Sequence, residues 1–210
     1  MITKSLIATA GFIMLAATPH ELPTLAIGDA LPKPEVAMMD VTNKEITLKQ
    51  AVRSNGLLVV FSCNSCPFVV GSDGSEGWEG RYPALGQLCQ QNNIGFVLVN
   101  SNEAKRDGDD SFVEMQAHYK AKGYNGHYLL DKNHVVADAF GARTTPHVYL
   151  FDKSMKLSYV GAIDDNVGSA AAVTAHYLDD AIKNMVAGKP IDPATTRNKG
   201  CSIKRVEHTH

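Results

Sequence analysis

Two cysteines separated by two residues, Cys63 and Cys66 in the run FSCNSCPF, are the side chains of this chain best placed to do chemistry. Six uncharged residues, GLLVVF, precede them and read as a buried strand, while the apolar residues that follow fall at helical spacing. Cys63 is therefore expected at a strand-to-helix junction. There the helix dipole favours a thiolate and takes the thiol pKa below its free value of ~8.5. Cys66 is expected one turn further in and within reach of Cys63. A thiol pair so placed attacks a disulfide, passes through a mixed disulfide and closes on itself.

The elements that must position this pair are legible along the chain. Residues 35–40 and 45–48 read as two short strands around a turn at 42–44, and Thr47 as the cap of a short helix over 48–53. The strand over 57–62 follows, then the CxxC helix. Three glycines and two serines in GSDGSEG (71–77) interrupt that helix, which no helix interior favours. The interruption is either a neutral surface insertion or a loop shaping the approach to the site. Helical spacing resumes at Tyr82, Leu85, Leu88 and Cys89. Residues 94–100 read as a second buried strand and 107–110 as a polar loop. Ser111 and Glu114 form a capping box for a helix to about Lys122. A short strand over 128–130 comes next, then a helix capped by Asn133 and closed by Gly141. Residues 148–152 and 157–163 read as a hairpin, 169–187 as a long amphipathic helix ended by Gly188, and the tail shows no periodicity. Crossovers mixed with a hairpin imply an α/β sandwich.

Composition narrows the class. The 210 residues are 44% apolar and 20% charged with a net charge of −2, which excludes a disordered chain and a bulk electrostatic footprint for nucleic acid. Residues 6–18 (LIATAGFIMLAAT) carry no charge and follow Lys4. The run is short for a bilayer span and suits the core of a signal peptide. Residues 1–26 are thus expected to be a signal peptide or an uncleaved anchor of a chain exported to the periplasm or an equivalent extracytoplasmic space. Thr24-Leu25-Ala26 offers the cleavage pattern, and membrane contact is expected through this segment alone. Four cysteines, at 63, 66, 89 and 201, would survive cleavage, and in an oxidising compartment each must be paired, buried or kept reduced.

In combination, the lead-in IGDALPKPEVAMMDVTNKEITL, the core VVFSCNSCPFV, FVLVNSN, AFGARTTPHVYLFD, GAIDDN and GCSIKR resemble the thioredoxin-like superfamily. More narrowly, the chain is similar to the AhpC/TSA–redoxin branch and its TlpA-like thiol-disulfide oxidoreductases. The resemblance spans residues 27–206. It implies a thioredoxin-like three-layer sandwich over 27–190, with an N-terminal β-hairpin extension and a tail over 191–210 packing back on the domain. Cys63 would then be the exposed nucleophile and Cys66 the resolving thiol. Pro146 would be the cis-proline facing them, and Thr145 would offer backbone groups to an extended partner chain. Protein thiols or disulfides are the implied partners. A reductant would need a donor carrying electrons across the membrane. No organic cofactor and no nucleic acid are implied.

The chain departs from its relatives in places. The strand before the CxxC lacks the buried acid of thioredoxins, leaving Glu76 or Glu79 as substitutes or a centre without an acid. The Pro-x-x-x-Thr-x-x-Cys segment of peroxiredoxins fits neither cysteine: counting back from Cys63 gives Val60 and Gly56, and from Cys66 gives Cys63 and Val59. Arg81 and Arg143 are the guanidinium candidates for a peroxidase. A copper or zinc carrier would join the two cysteines to His134 or, better placed, His147, with His208 and His210 read as tail residues. An inert interaction module is a further rival, opposed by the retention of both thiols. Cys89 reads as a buried hydrophobe. For Cys201 a third redox thiol, a Cys89–Cys201 staple and a plain buried cysteine are open, with the buried or structural readings preferred. Trp78 either contacts a partner or caps the core.

Overall fold

The computed structural model describes residues 22–207, so most of the expected signal segment, and His208 and His210, lie outside the described residues. The chain opens with β1 (Ala37–Asp40) and β2 (Lys44–Thr47), an antiparallel hairpin. Thr47 then caps the single-turn helix α1 (Leu48–Ala51) in a reciprocal box with Gln50, so two orphan amides are satisfied at once. The central strands β3 (Leu57–Ser62) and β4 (Gly95–Asn100) run parallel and are buried on both faces. That is why they read as continuous apolar runs. Between them come α2 (Pro67–Val70) and α3 (Tyr82–Gln91).

Beyond β4 the chain forms α4 (Phe112–Lys122), β5 (His127–Leu130) and α5 (Val135–Phe140). The two-residue strand β6 (Thr144–Thr145) precedes β7 (His147–Phe151) and β8 (Leu157–Gly161). Helix α6 (Tyr177–Val186) and the two-residue strand β9 (Cys201–Ser202) finish the fold. The main sheet has the order β2-β1-β5-β4-β3-β7-β8, and β6 pairs separately with β9. One face of the sheet packs through Leu58, Val60 and Leu98 on α3, α4 and α6; the other packs through Val59, Phe61 and Val99 on α1 and α5. The result is the expected three-layer α/β sandwich with the hairpin at one edge. Among the described residues no helix is long and apolar enough to cross a membrane.

Three local expectations fail for physical reasons. The long helix over 169–187 is a 3-10 turn at Ala170–Ala172, an extended stretch and then α6. Asp165 takes the amide and hydroxyl of Thr174 while its own amide bonds the Ala175 carbonyl, which draws these backbone groups out of a helical ladder. The helix expected from Asn133 starts at Val135, because Asn133 and His134 both have positive φ. Its first amides, of Val136 and Ala137, are satisfied by the buried carboxylate of Asp131, two residues before the predicted cap. The CxxC helix begins at Pro67 with Cys66 as its N-cap, because proline suits the first helical position.

Candidate functional site

Strand β3 carries the chain to the sheet's carboxyl end and delivers Cys63; the Asn64-Ser65 turn then places Cys66 at the cap of α2. The helix end expected beside Cys63 therefore belongs to Cys66. Both thiols are buried, at 1% and 3% exposure, so Cys63 is not the exposed sulfur that the resemblance implied. Cys63 Sγ shares a hydrogen bond with the Thr145 hydroxyl at 3.2 Å. Cys66 Sγ lies 3.1 Å from the Thr145 carbonyl, to which it donates when protonated. The Thr145–Pro146 peptide is cis, and Thr145 is itself buried. Thus the four residues singled out in the sequence meet at one point.

Both sulfurs lie against Thr145, and each shifts the ionisation of the other. The Cys63 thiol donates to Cys66, and Cys201 adds further donors, so Cys66 gives up its proton well below the ordinary thiol value of 9.0 despite burial. That same donation, then burial, then the charge of Asp110 hold the proton on Cys63 far above it. The pair thus loses one proton readily and keeps the second.

Asp110 is the residue that sequence reasoning missed. It is fully buried, and its carboxylate accepts from the Asn64 amide at 2.7 Å, Asn100 Nδ2 at 2.7 Å, Asn102 Nδ2 at 3.0 Å and the Ser65 hydroxyl at 3.1 Å. It thereby fixes the dipeptide between the cysteines. Tyr128 braces the same turn by donating to Asn64 Oδ1 at 2.8 Å. This buried acid stands in a loop 44 positions after Cys66 (110 − 66), in a DGDD run that reads only as polar, and contacts the turn rather than either sulfur. Glu76 and Glu79 do not fill that role. Glu76 accepts from Ser169 and the Ala170 amide. Glu79 is buried but held below the usual carboxylate range, against its desolvation, by His118 and Lys122.

The rival ligand and cation candidates are engaged elsewhere. Arg81 is bound to Asp164, Gly77 and Asn166, and the exposed Arg143 reaches the Leu22 carbonyl at 3.5 Å. His134 bonds Asp138 and the Val206 carbonyl. His147 shares a hydrogen bond with the Tyr149 hydroxyl at 3.2 Å and lies at a tilt to its ring, and Tyr149 packs in the core on the face of the sheet away from the cysteines. Among the described residues no group of three or more Cys, His, Asp or Glu has metal-holding geometry. Trp78 caps the core, 2% exposed, with its indole donating to Asp164 at 2.7 Å. The glycine-rich interruption is a tight turn packed on residues 166–170: a Cβ at Gly77 would meet the Val69 carbonyl at 2.3 Å. Cys89 is buried on α3, and burial pushes its thiol up to about 12.

The family model for the AhpC/TSA family matches residues 27–160, which include both cysteines, Thr145 and Pro146. The chain belongs to the AhpC/TSA family. A search of curated proteins finds no significant match. Among solved structures, a hypothetical protein from Sinorhizobium meliloti 1021 is 28% identical with a TM-score of 0.78, over 89% of this chain and 98% of its own. An uncharacterized conserved protein from Geobacillus kaustophilus is 26% identical with a TM-score of 0.77, over 93% and 100%. The fold is also that of a thioredoxin-like protein solved in its oxidized form, 20% identical with a TM-score of 0.54 over 76% and 97%. The chain thus joins AhpC/TSA family membership to a thioredoxin-like fold.

Proposed function

We propose that this AhpC/TSA-family chain is a thiol-disulfide oxidoreductase that works through Cys63 and Cys66 on exported protein partners. The observation that carries the reading is the convergence of both cysteine sulfurs on Thr145 at the carboxyl end of β3. In the reducing direction Cys63 attacks a partner disulfide, its proton passing to the Cys66 thiolate and one partner sulfur leaving as thiolate. Cys66 then passes that proton to the partner thiolate already released, attacks Cys63 Sγ and expels the second partner sulfur as a thiolate, leaving a Cys63–Cys66 disulfide. The oxidising direction is the reverse. The charge-free run over 6–18, ahead of the described residues, supports export.

A peroxidase is the second reading. It is favoured by the family and by the Thr145 hydroxyl on Cys63, and opposed by the engagement of Arg81 and Arg143 elsewhere. Equilibration of the chain without residues 1–26 in graded glutathione buffers, with thiol trapping and mass mapping, separates the readings. A reversible Cys63–Cys66 disulfide that exchanges with protein substrates, lost in Cys63→Ser and in Cys66→Ser, is expected. Consumption of hydrogen peroxide without such exchange would establish the peroxidase. Retention of copper or zinc by a pair that stays reduced would make the chain a metal carrier.

A further inference from the structure

Cys201 lies 135 positions beyond Cys66 and stands on the short strand β9, apart from the α/β layers. Two observations bring it into the site. Its backbone N–H donates to Cys66 Sγ at 3.4 Å. Strand β9 pairs with β6 so that Cys201 stands opposite Thr145, whose hydroxyl and carbonyl touch Cys63 and Cys66. The backbone edge that the resemblance assigns to an extended partner is thus taken by the chain's own tail. That tail presents a sulfur where a partner's sulfur would come. Cys201 is also only partly buried, whereas Cys63 and Cys66 are closed to solvent.

The tail is built for this place. Gly200 lies against Thr145 so closely that a Cβ would meet its carbonyl at 2.3 Å. Ile203 is buried and its amide bonds the Arg143 carbonyl. The Lys204 amide donates to Asn102 Oδ1 and its carbonyl accepts from Ala104. These contacts hold Cys201 on both sides in sequence, and Asn102 also donates to Asp110, which braces the CxxC turn. Cys89, the alternative partner for a structural staple, sits at the base of α3 in a free, fully buried state and is not the thiol that Cys201 meets.

We infer that Cys201 is the third thiol of the redox centre and carries the disulfide from the buried pair to the protein surface. This rests on the oxidoreductase reading of Cys63 and Cys66. Once those two have closed, the Cys201 thiolate attacks Cys66 Sγ. The Cys66–Cys201 bond forms, the Cys63–Cys66 bond breaks, and Cys63 leaves as a thiolate that takes up the proton Cys201 released. No electrons are gained or lost, so the step needs no oxidant or reductant. The order of events is enforced by charge. Burial and then the neighbouring Cys66 sulfur raise the Cys201 thiol to about 11 in the reduced protein, while Lys204 favours its thiolate. Oxidation of Cys66 removes the second influence, and Cys201 becomes a better nucleophile when there is a disulfide to attack.

Disulfide mapping in graded glutathione buffers tests this on the chain without residues 1–26, using wild type, Cys63→Ser, Cys201→Ser and Cys201→Ala, each first shown to melt cooperatively. Cys63→Ser is expected to form a Cys66–Cys201 disulfide. Oxidised wild type is expected to carry that bond in roughly one molecule in ten or more, a gap of about 1.4 kcal/mol or less between the two disulfides. Both Cys201 variants are expected to form Cys63–Cys66 alone. If Cys63→Ser keeps Cys66 and Cys201 free while the Cys201 variants close Cys63–Cys66, Cys201 has no redox role and the oxidoreductase reading stands. If the Cys201 variants fail to close that bond, the oxidoreductase reading falls and the relay with it.

Discussion

At the scale of single residues, the site is a distribution of one negative charge over several sulfurs, and Asp110 decides where it does not go. Its carboxylate is saturated by four donors, two on each oxygen, and it sits where it opposes ionisation of Cys63. Asp110→Asn removes the charge but leaves a single acceptor oxygen, so two buried donors lose their partner. The variant is expected to be less stable by about 3 kcal/mol, read as a lowered melting temperature. Its Cys63 is expected to ionise at lower pH, seen as an acid-ward move of the alkylation profile of Cys63 in a Cys66→Ser background. An unmoved profile would show that Asp110 only braces the turn. None of this is visible in the sequence, because a DGDD run carries no sign that its last carboxylate turns inward.

At the scale of elements, what was legible is what is local. Strand β3 announces itself by an uninterrupted apolar run, α1 by Thr47 as its cap, and the start of α4 by Ser111, whose hydroxyl accepts from the Glu114 amide. What was hidden is set by contacts between distant segments: Asp165 unwinding residues 173–176, or the tail joining β6. The tail lacks periodicity because only two of its residues form a strand, one of them beside a glycine required by close approach. Gly200→Ala tests that account. The added methyl must push the Thr145 carbonyl away, so the β6–β9 pairing should loosen. Loss of about one hydrogen bond's worth of pairing, ~1 kcal/mol, should raise the alkylation rate of Cys201 about five-fold. Cys89 on α3, remote from the tail, should react at an unchanged rate and serves as the control. Equal rates for Cys201 in both proteins would mean that the ribbon is held by Ile203 and Lys204 instead.

At the scale of the whole molecule, redox state and fold stability are linked through the same protons. The reduced chain holds a Cys66 thiolate that folding favours, since its thiol sits below the ordinary value of 9.0, chiefly through donation from Cys63. A depressed folded value contributes stability that is complete above the unfolded value and is lost as pH falls through the folded one. Cys63, raised above 9.0, contributes in the opposite sense and only at higher pH, where its stabilisation is lost. Below 9.0 the balance therefore favours the reduced fold increasingly as pH rises, whereas the disulfide form has no such titration. His147, lowered to about 4 by burial and then by Arg143, adds an acid-side loss of stability below the ordinary histidine range. It does so in both redox states, so it cancels in their difference. The melting temperature of the reduced chain minus that of the oxidised chain should consequently increase between about pH 5 and about pH 8. A difference that is flat over this interval would mean that no thiolate is held in the folded site. A stabilised thiolate also weakens the disulfide relative to the dithiol, so a widening gap predicts a centre that oxidises its partners more readily as pH rises.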